Sequence, residues 1–445
     1  MSAIAESNVV GNSGCGFAEY PIFRKARPDR TVEDILADIQ HAADLPLAQG
    51  IPMPAEAYTT EAFYDWEVEN VLRAEWLCLA HRSQIPNPGD FLNIDLLGEP
   101  LIVVHGKDGQ IRVLSRVCPH RAMDIMPPGF GYDGHGPADA REGGAGCGHT
   151  RLFLCPYHHW SFELDGSLKA CPEMQNAEGF RRDDYALTTF RSELWNGFIF
   201  VNLDGKAGSL ESNMTDLTAD LAGWDMSKMK VVIEREWDCP FNWKVLIENF
   251  MEPYHHLGAH CRTLQPLMPA KDTWTSGERA HSIRVNTPLK EAALAEMRQQ
   301  YADGTTEGFP LIPTLPPEHQ AQWSAYLSYP TFLLFGGPDR MIWYRLDPIT
   351  TDRSRLITTT LVNEEALAAP DFEKRKVAAE KMMIDFHLED MEVCSAVQRG
   401  FYSTGYRRGR LSHLEMPIWL IERYLAARSR NTWPTYDRPA APSQR

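Results

Sequence analysis

Two spacings of apolar residues divide the chain. Over residues 31–43 the apolar positions Ile35, Ile39 and Ala42 recur every three to four residues behind Thr31, which predicts a helix with Thr31 as its N-cap. Pro46, Pro52 and Pro54 break the pattern, and a second helix is expected over residues 60–75. From about Trp76 the character changes to short β-branched runs at 91–96, 101–105 and 111–115, separated by Gly, Pro and Asp turns. Strands at 161–164 and 168–170 flank Asp165-Gly166, a hairpin signal, and residues 197–203 close the β-rich block. An acidic helix is then expected at 210–221 and a strand at 231–237. A helix follows at 289–301 and a Pro-rich loop at 310–317. Strands resume at 325–335, 340–346 and 355–362. A long helix over 371–398 stops before Gly400, and a last one spans 416–427. The order implies an α+β chain. Residues 1–75 are expected to form an N-terminal segment packed on the last domain, 76–200 a small antiparallel β domain, and 201–445 a last domain with a curved antiparallel sheet and helices.

Composition narrows the class. A chain of 445 residues has room for more than one domain, and 43% hydrophobic with 23% charged residues is ordinary for a globular enzyme. With 60 acidic against 44 basic side chains the net charge is −16, which disfavours nucleic acid or an anionic membrane as partner. No basic-then-apolar leader opens the chain and no apolar run is long enough to span a bilayer. Nine cysteines without a repeating frame argue against a disulfide scaffold, and a reducing cytoplasm is the expected location.

Chemistry concentrates in residues 242–260, NWKVLIENFMEPYHHLGAH, which hold Glu248, Glu252, His255, His256 and His260. Two histidines and a carboxylate with open positions are the facial triad of non-haem Fe(II) oxygenases. On a regular helix His256 and His260 would share a face. Pro253, however, biases Glu252 away from helical backbone and removes that constraint. Upstream stand Cys118-Pro119-His120 and Cys155-Pro156-Tyr157-His158, the two-Cys, two-His ligand set of a Rieske [2Fe–2S] centre. Zinc would accept the same donors. Cys147-Gly148-His149 has Cys-x-His spacing too, but lacks the Cys-Pro-His-Arg context.

Asn242-Trp243-Lys244 followed by carboxylate-x-x-His-x₄-His resembles the iron site of Rieske non-haem iron oxygenase large (alpha) subunits, and the two Cys/His loops resemble that family's cluster loops. The family includes aromatic ring-hydroxylating dioxygenases and choline-, carnitine- and betaine-type monooxygenases. The resemblance implies a catalytic domain of helix-grip type. It selects His255 and His260 over His256 as iron ligands, with Asp390 of the late helix as the carboxylate and Asp385 and Glu389 as alternatives. Cys118, His120, Cys155 and His158 would hold the cluster. Glu252 would bridge to a cluster histidine of a neighbouring subunit; a Glu at that position leans toward the quaternary-amine branch. A reductase or ferredoxin would supply electrons, and O₂ with an aromatic or N-methylated small molecule would be the substrates. The assembly would be a homotrimer, with room for a separate small beta subunit. Two departures stand out: the interval between the loops is long, with a Gly-rich stretch at 129–148, and His159 occupies a position that is usually Gly. Trp195, Tyr329, Phe332, Phe335, Trp343 and Tyr344 are candidates for an aromatic pocket or for core. A bare Rieske electron carrier and a zinc-stabilised binding module are the competing classes.

Overall fold

The computed structural model describes residues 25–126 and 147–432; of the Gly-rich stretch only Cys147 and Gly148 fall among them. The chain forms two compact units, one built on Trp76–Lys206 and one on Ala207–Arg445 together with Asn8–Glu75.

The first unit is antiparallel β. Its strands are β1 (Trp76–His81), β2 (Asp90–Leu96), β3 (Glu99–His105), β4 (Ile111–Ser115), β5 (Cys147–His149), β6 (Phe153–Leu154), β7 (Ser161–Phe162), β8 (Leu168–Ala170), β9 (Thr189–Trp195) and β10 (Phe198–Asn202). Seven run in the order β1-β10-β9-β4-β3-β2-β5, and β6-β7-β8 form a separate three-stranded sheet. The unbroken apolar run in β3 has a plain cause. Ile102 and Val104 join a core with Phe91, Phe153 and Trp160, while Leu101 and Val103 join a second core with Leu77, Ile94 and Ile199. Alternate side chains point to opposite faces, and both faces are covered. Asp165-Gly166 makes the expected turn: the Asp165 carboxylate accepts the Ser167 N–H at 2.9 Å and Gly166 takes φ 88°.

The second unit begins with α1 (Val32–Asp44), where the Thr31 hydroxyl caps the Asp34 N–H. The helix expected at 60–75 is shorter: α2 (Glu61–Glu67) passes into a π turn at Val68–Leu72 before the chain enters the first unit. The helix expected at 210–221 is two, α3 (Leu210–Asn213) and α4 (Thr215–Leu221), parted at Met214 with ψ near 9°. Ser212 and Asn213, which favour helix ends over interiors, precede the break. Then come β11 (Lys230–Cys239), α5 (Trp243–Met251), β12 (Trp274–Thr275), β13 (Ser282–Pro288) and α6 (Glu291–Ala302). They are followed by β14 (Gln322–Ser328), β15 (Phe332–Gly336), β16 (Met341–Thr350), β17 (Arg353–Val362), α7 (Glu364–Leu367), α8 (Phe372–Phe401) and α9 (Met416–Ser429). The run expected as one strand at 325–335 is two, because Pro330 offers no N–H to the ladder. The seven antiparallel strands follow the order β11-β17-β16-β15-β14-β13-β12, and α8 packs against α5 and β11. At 30 residues α8 is about 45 Å long. Among the described residues no helix is long and apolar enough to cross a membrane.

Candidate metal centres

In the first unit two loops of like construction carry the Cys/His donors. One follows β4: the Cys118 N–H donates to the Met123 carbonyl at 2.8 Å and the Ala122 N–H to the Cys118 carbonyl at 3.0 Å. The other joins β6 to β7: Cys155 N–H donates to the Trp160 carbonyl at 2.8 Å and His159 N–H to the Cys155 carbonyl at 3.0 Å. Each turn closes through one left-handed residue, Ala122 at φ 55° and His159 at φ 58°. Glycine would adopt this backbone without strain.

The two loops place like donors together. Both thiols are buried and share a hydrogen bond that pushes Cys118 up and Cys155 down to about 6. The His120 and His158 rings are neighbours, 4.6 Å between centroids. His120 also lies flat against Trp160 at 4.7 Å, and Tyr157 covers His158 at 3.8 Å. Thiols on one side and imidazoles on the other suit a two-iron cluster, one iron to each pair. A single ion is a poorer fit. His255, His260 and Asp390 are the group of three donors found within 4.8 Å of one another among the described residues, and the Cys/His set is not such a group. Cys147-Gly148-His149 lies in β5, where His149 Nδ1 contacts the Asp90 carboxylate at 2.8 Å, so its histidine is engaged at the sheet edge.

The second centre starts from α5. Asn242 caps it by accepting the Lys244 N–H at 3.0 Å. The Trp243 indole N–H and the Lys244 ammonium both reach the buried Glu67, at 3.3 and 2.8 Å, and tie the helix to the segment before Trp76. Tyr58 of that segment donates to Glu248 at 2.6 Å. Burial is the main cause that pushes the Glu248 carboxyl up to about 7. Pro253 acts as its position demands. α5 stops at Met251, Glu252 is extended at φ −118°, ψ 113°, and Pro253–Leu257 coil into a 3₁₀ turn capped by the Glu252 carboxylate at the His255 N–H.

That turn sends the histidines in different directions. His255 Nδ1 lies against the Glu252 backbone carbonyl, with the Glu252 carboxylate Oε1 further off at 3.1 Å, which leaves Nε2 facing Asp390 Oδ1 at 3.6 Å. His260 Nδ1 contacts Glu389 Oε2 at 2.7 Å, which leaves Nε2 at 2.9 Å from the same Asp390 oxygen. Each ring thus has one nitrogen held by an acceptor of Glu252 or Glu389 and the other turned to a common point, the arrangement in which outer carbonyls and carboxylates fix the tautomer of a metal-bound histidine. His256 turns away, its Nδ1 on the Met268 carbonyl at 3.0 Å. Burial alone would lower the histidines; Glu252 and Asp390 outweigh it at His255, Asp390 and Glu389 at His260, and both rise above the usual value. Burial would raise Asp390; His260 and His255 outweigh it and hold the carboxyl below the usual range. Two imidazoles and a buried anionic carboxylate fit a divalent iron.

These donors open on a small cavity that is partly open to solvent. Of the six aromatic residues singled out from the sequence, Phe335 and Tyr344 line it, beside Phe250, whose ring is 4.7 Å from Tyr344. Strand alternation separates them from their neighbours. Phe335 pairs with Ile342 and Leu333 with Tyr344 on one face, while Phe332 and Trp343 belong to the other. Tyr329 stacks on Tyr424 at 4.2 Å, and Trp195 belongs to the first unit.

Sequence reasoning passed over two roles. Glu389 appears there only as an alternative ligand; the structure sets it on His260 Nδ1, steadied by the Thr263 hydroxyl at 2.6 Å. His387 is not singled out at all, yet it lines the cavity and is 1% exposed. The signal was periodicity. Met383, Phe386, His387, Asp390 and Cys394 form the buried stripe of α8, whereas Asp385 is exposed and paired with Lys381. An Asp and a His on an apolar stripe are the out-of-place residues that mark a site.

Comparison with known proteins agrees unit by unit. Residues 75–190 match the Rieske [2Fe-2S] domain, and residues 226–429 match the ring hydroxylating alpha subunit catalytic domain. The carnitine monooxygenase oxygenase subunit of Escherichia coli (strain K12) is 27% identical over 367 residues, 81% of this chain and 87% of that one. The biphenyl 2,3-dioxygenase subunit alpha of Rhodococcus jostii (strain RHA1) is 31% identical over 206 residues, 45% and 41% of the two chains. Among solved structures, a quaternary ammonium Rieske monooxygenase superposes with a TM-score of 0.71 at 21% identity, covering 91% of this chain and all of the other. Naphthalene 1,2-dioxygenase from a Rhodococcus species gives 0.66 at 19%, covering 90% and 97%. At those identities the structures speak for the fold, which is a Rieske domain joined to a catalytic domain with a curled antiparallel sheet. The matched catalytic segment also disfavours a bare electron carrier or a zinc module. The chain therefore belongs to the Rieske oxygenases of the ring-hydroxylating alpha-subunit family, enzymes with a [2Fe–2S] cluster and a non-haem iron.

Proposed function

We propose that His255, His260 and Asp390 hold the mononuclear iron, that Cys118, His120, Cys155 and His158 hold the cluster, and that the substrate is an aromatic or N-methylated small molecule. The observation that carries the reading is the convergence of His255 Nε2 and His260 Nε2 on one Asp390 oxygen beside a mainly apolar cavity. When bound, the iron supplies activation of O₂, and the cluster supplies electrons received from a reductase or ferredoxin. The protein's part is to orient. Glu252 holds the Nδ1 proton of His255 and Glu389 that of His260, so both Nε2 lone pairs face inward. Leu246, Leu264 and Phe386 add apolar surface to the cavity. Phe250, Phe335 and Tyr344 offer ring faces to an aromatic substrate or to a methylated ammonium. The carnitine relative, which spans most of both chains, supports the amine class.

By the same reading Glu252 is also the bridge toward a cluster histidine of a neighbouring subunit in a homotrimer, a separate beta subunit being an open addition, and the enzyme works in the cytoplasm. The test is O₂ uptake by the reconstituted protein with a reductase, across aromatic and N-methylated compounds, with formaldehyde assayed as the demethylation product. Substrate-dependent uptake with a hydroxylated or demethylated product is expected. Uptake that no compound of either class stimulates would overturn the substrate assignment.

A further inference from the structure

His387 is an anomaly in the catalytic cavity. It is fully buried and lines the space beside Phe386 and Tyr344, and neither ring nitrogen has a partner among the described residues. Among the described residues its ring meets aromatic neighbours, edge-on to Trp237 at 4.5 Å and to Tyr344 at 5.8 Å, and the Trp237 N–H is spent on Thr358. Buried polar atoms are almost always hydrogen-bonded, so an orphaned imidazole facing a cavity calls for a ligand. The ring does not belong to the group that converges on Asp390. One helical turn before Asp390 on α8, it faces the same cavity from a separate position.

We propose that His387 is the specificity-determining residue of this cavity, donating a hydrogen bond to a hydroxyl or carbonyl oxygen on an aromatic or N-methylated substrate. This rests on the oxygenase reading and deepens it. Burial pushes the ring down to about 4, against the nearby Asp390 charge and with that of His260, so the imidazole is neutral. A neutral imidazole has one N–H and one lone pair, which suits an uncharged oxygen group. Among the described residues the lining includes no Lys or Arg, so a free carboxylate on the substrate would find neither ammonium nor guanidinium there.

The experiment uses the iron-loaded protein without electron donor and two matched pairs: 1-indanone against indane, and choline against propyltrimethylammonium. Dissociation constants are measured by calorimetry, and iron content and the cluster spectrum are read on the same samples. In the wild type the oxygen-bearing member of at least one pair binds about two- to twelvefold more tightly, the worth of one hydrogen bond. His387→Leu and His387→Met each erase the preference, either one serving if the other fails to fold, and His387→Gln retains part of it. All three variants keep iron and cluster. A preference unchanged in the Leu or Met variant overturns the proposal, as does a wild type that binds no pair or shows no preference. A preparation without mononuclear iron overturns the oxygenase reading itself, and is told apart by the iron assay.

Discussion

At the cluster loops each His lies two or three residues from its Cys, on a turn closed by its own backbone. At the second centre the donors come from a broken helix end and from α8, 130 residues further along. The cluster loops bury the thiols and leave His120 half-buried and His158 exposed; the second centre buries Asp390 and His260 and half-buries His255. Exposure at the imidazoles suits a group that trades electrons with an outside protein. Burial suits one that must keep water from reactive oxygen chemistry. The difference also separates two kinds of order. The cluster loops are shaped by local hydrogen bonds, whereas the iron donors meet only when the sheet, α5 and α8 have packed.

If the two regions are independent metal sites, their losses should be separable. The largest effect is expected from Cys155→Ser, which should abolish cluster absorbance altogether while the mononuclear iron still binds, measured by metal analysis and EPR. Loss of both metals together would break the separation.

Next is Asp390→Ala, expected to weaken mononuclear iron at least about 100-fold, beyond what loss of an outer partner costs, with the cluster spectrum intact. His256→Ala is the control and should retain iron, since its ring is spent on Met268. Unchanged iron in Asp390→Ala would move the third ligand to Glu389, because Asp385 is engaged with Lys381.

Glu252→Gln sharpens the comparison, since Glu252 belongs to the iron centre but is read as its link to the cluster. Turnover should fall about 10- to 100-fold with iron content and cluster reduction unchanged and cluster reoxidation slowed. Loss of iron would instead make Glu252 a ligand, and normal turnover would remove it from the mechanism.

The smallest effect is expected at His159. Its left-handed backbone favours glycine, so His159→Gly should gain about 0.5–1 kcal/mol, seen as a higher midpoint for the cluster-bearing unit. The cluster spectrum should not move, because His158 is the ligand in this reading. A changed spectrum would make the ligand His159.

The contrast between local and assembled order also decides what was legible beforehand. Cys118-Pro119-His120 and Cys155-Pro156-Tyr157-His158 could be read as they stand, because their geometry is made by the residues between them. Pro253 could be read too: it ended α5 where its ring forbids helix and freed His255 from helical spacing. Asp390 came only from resemblance, because apolar spacing alone leaves open which stripe of α8 turns inward. The buried stripe through Met383, Phe386 and Cys394 supplies that answer once packing is known. The Thr31 cap was local and legible. The breaks at Met214 and Pro330, and the inward turn of His387, depend on what packs around them.

The most direct measurement is iron per chain before and after a mild Fe(II) chelator, with cluster absorbance followed throughout. Two separate centres require about three irons per chain, two in the cluster and one mononuclear, falling to about two with the cluster spectrum unchanged. Asp390→Ala should begin near two and lose none. Zinc in place of iron, or chelation that strips cluster and mononuclear metal in step, would contradict the assignment of His255, His260 and Asp390 to an iron of their own.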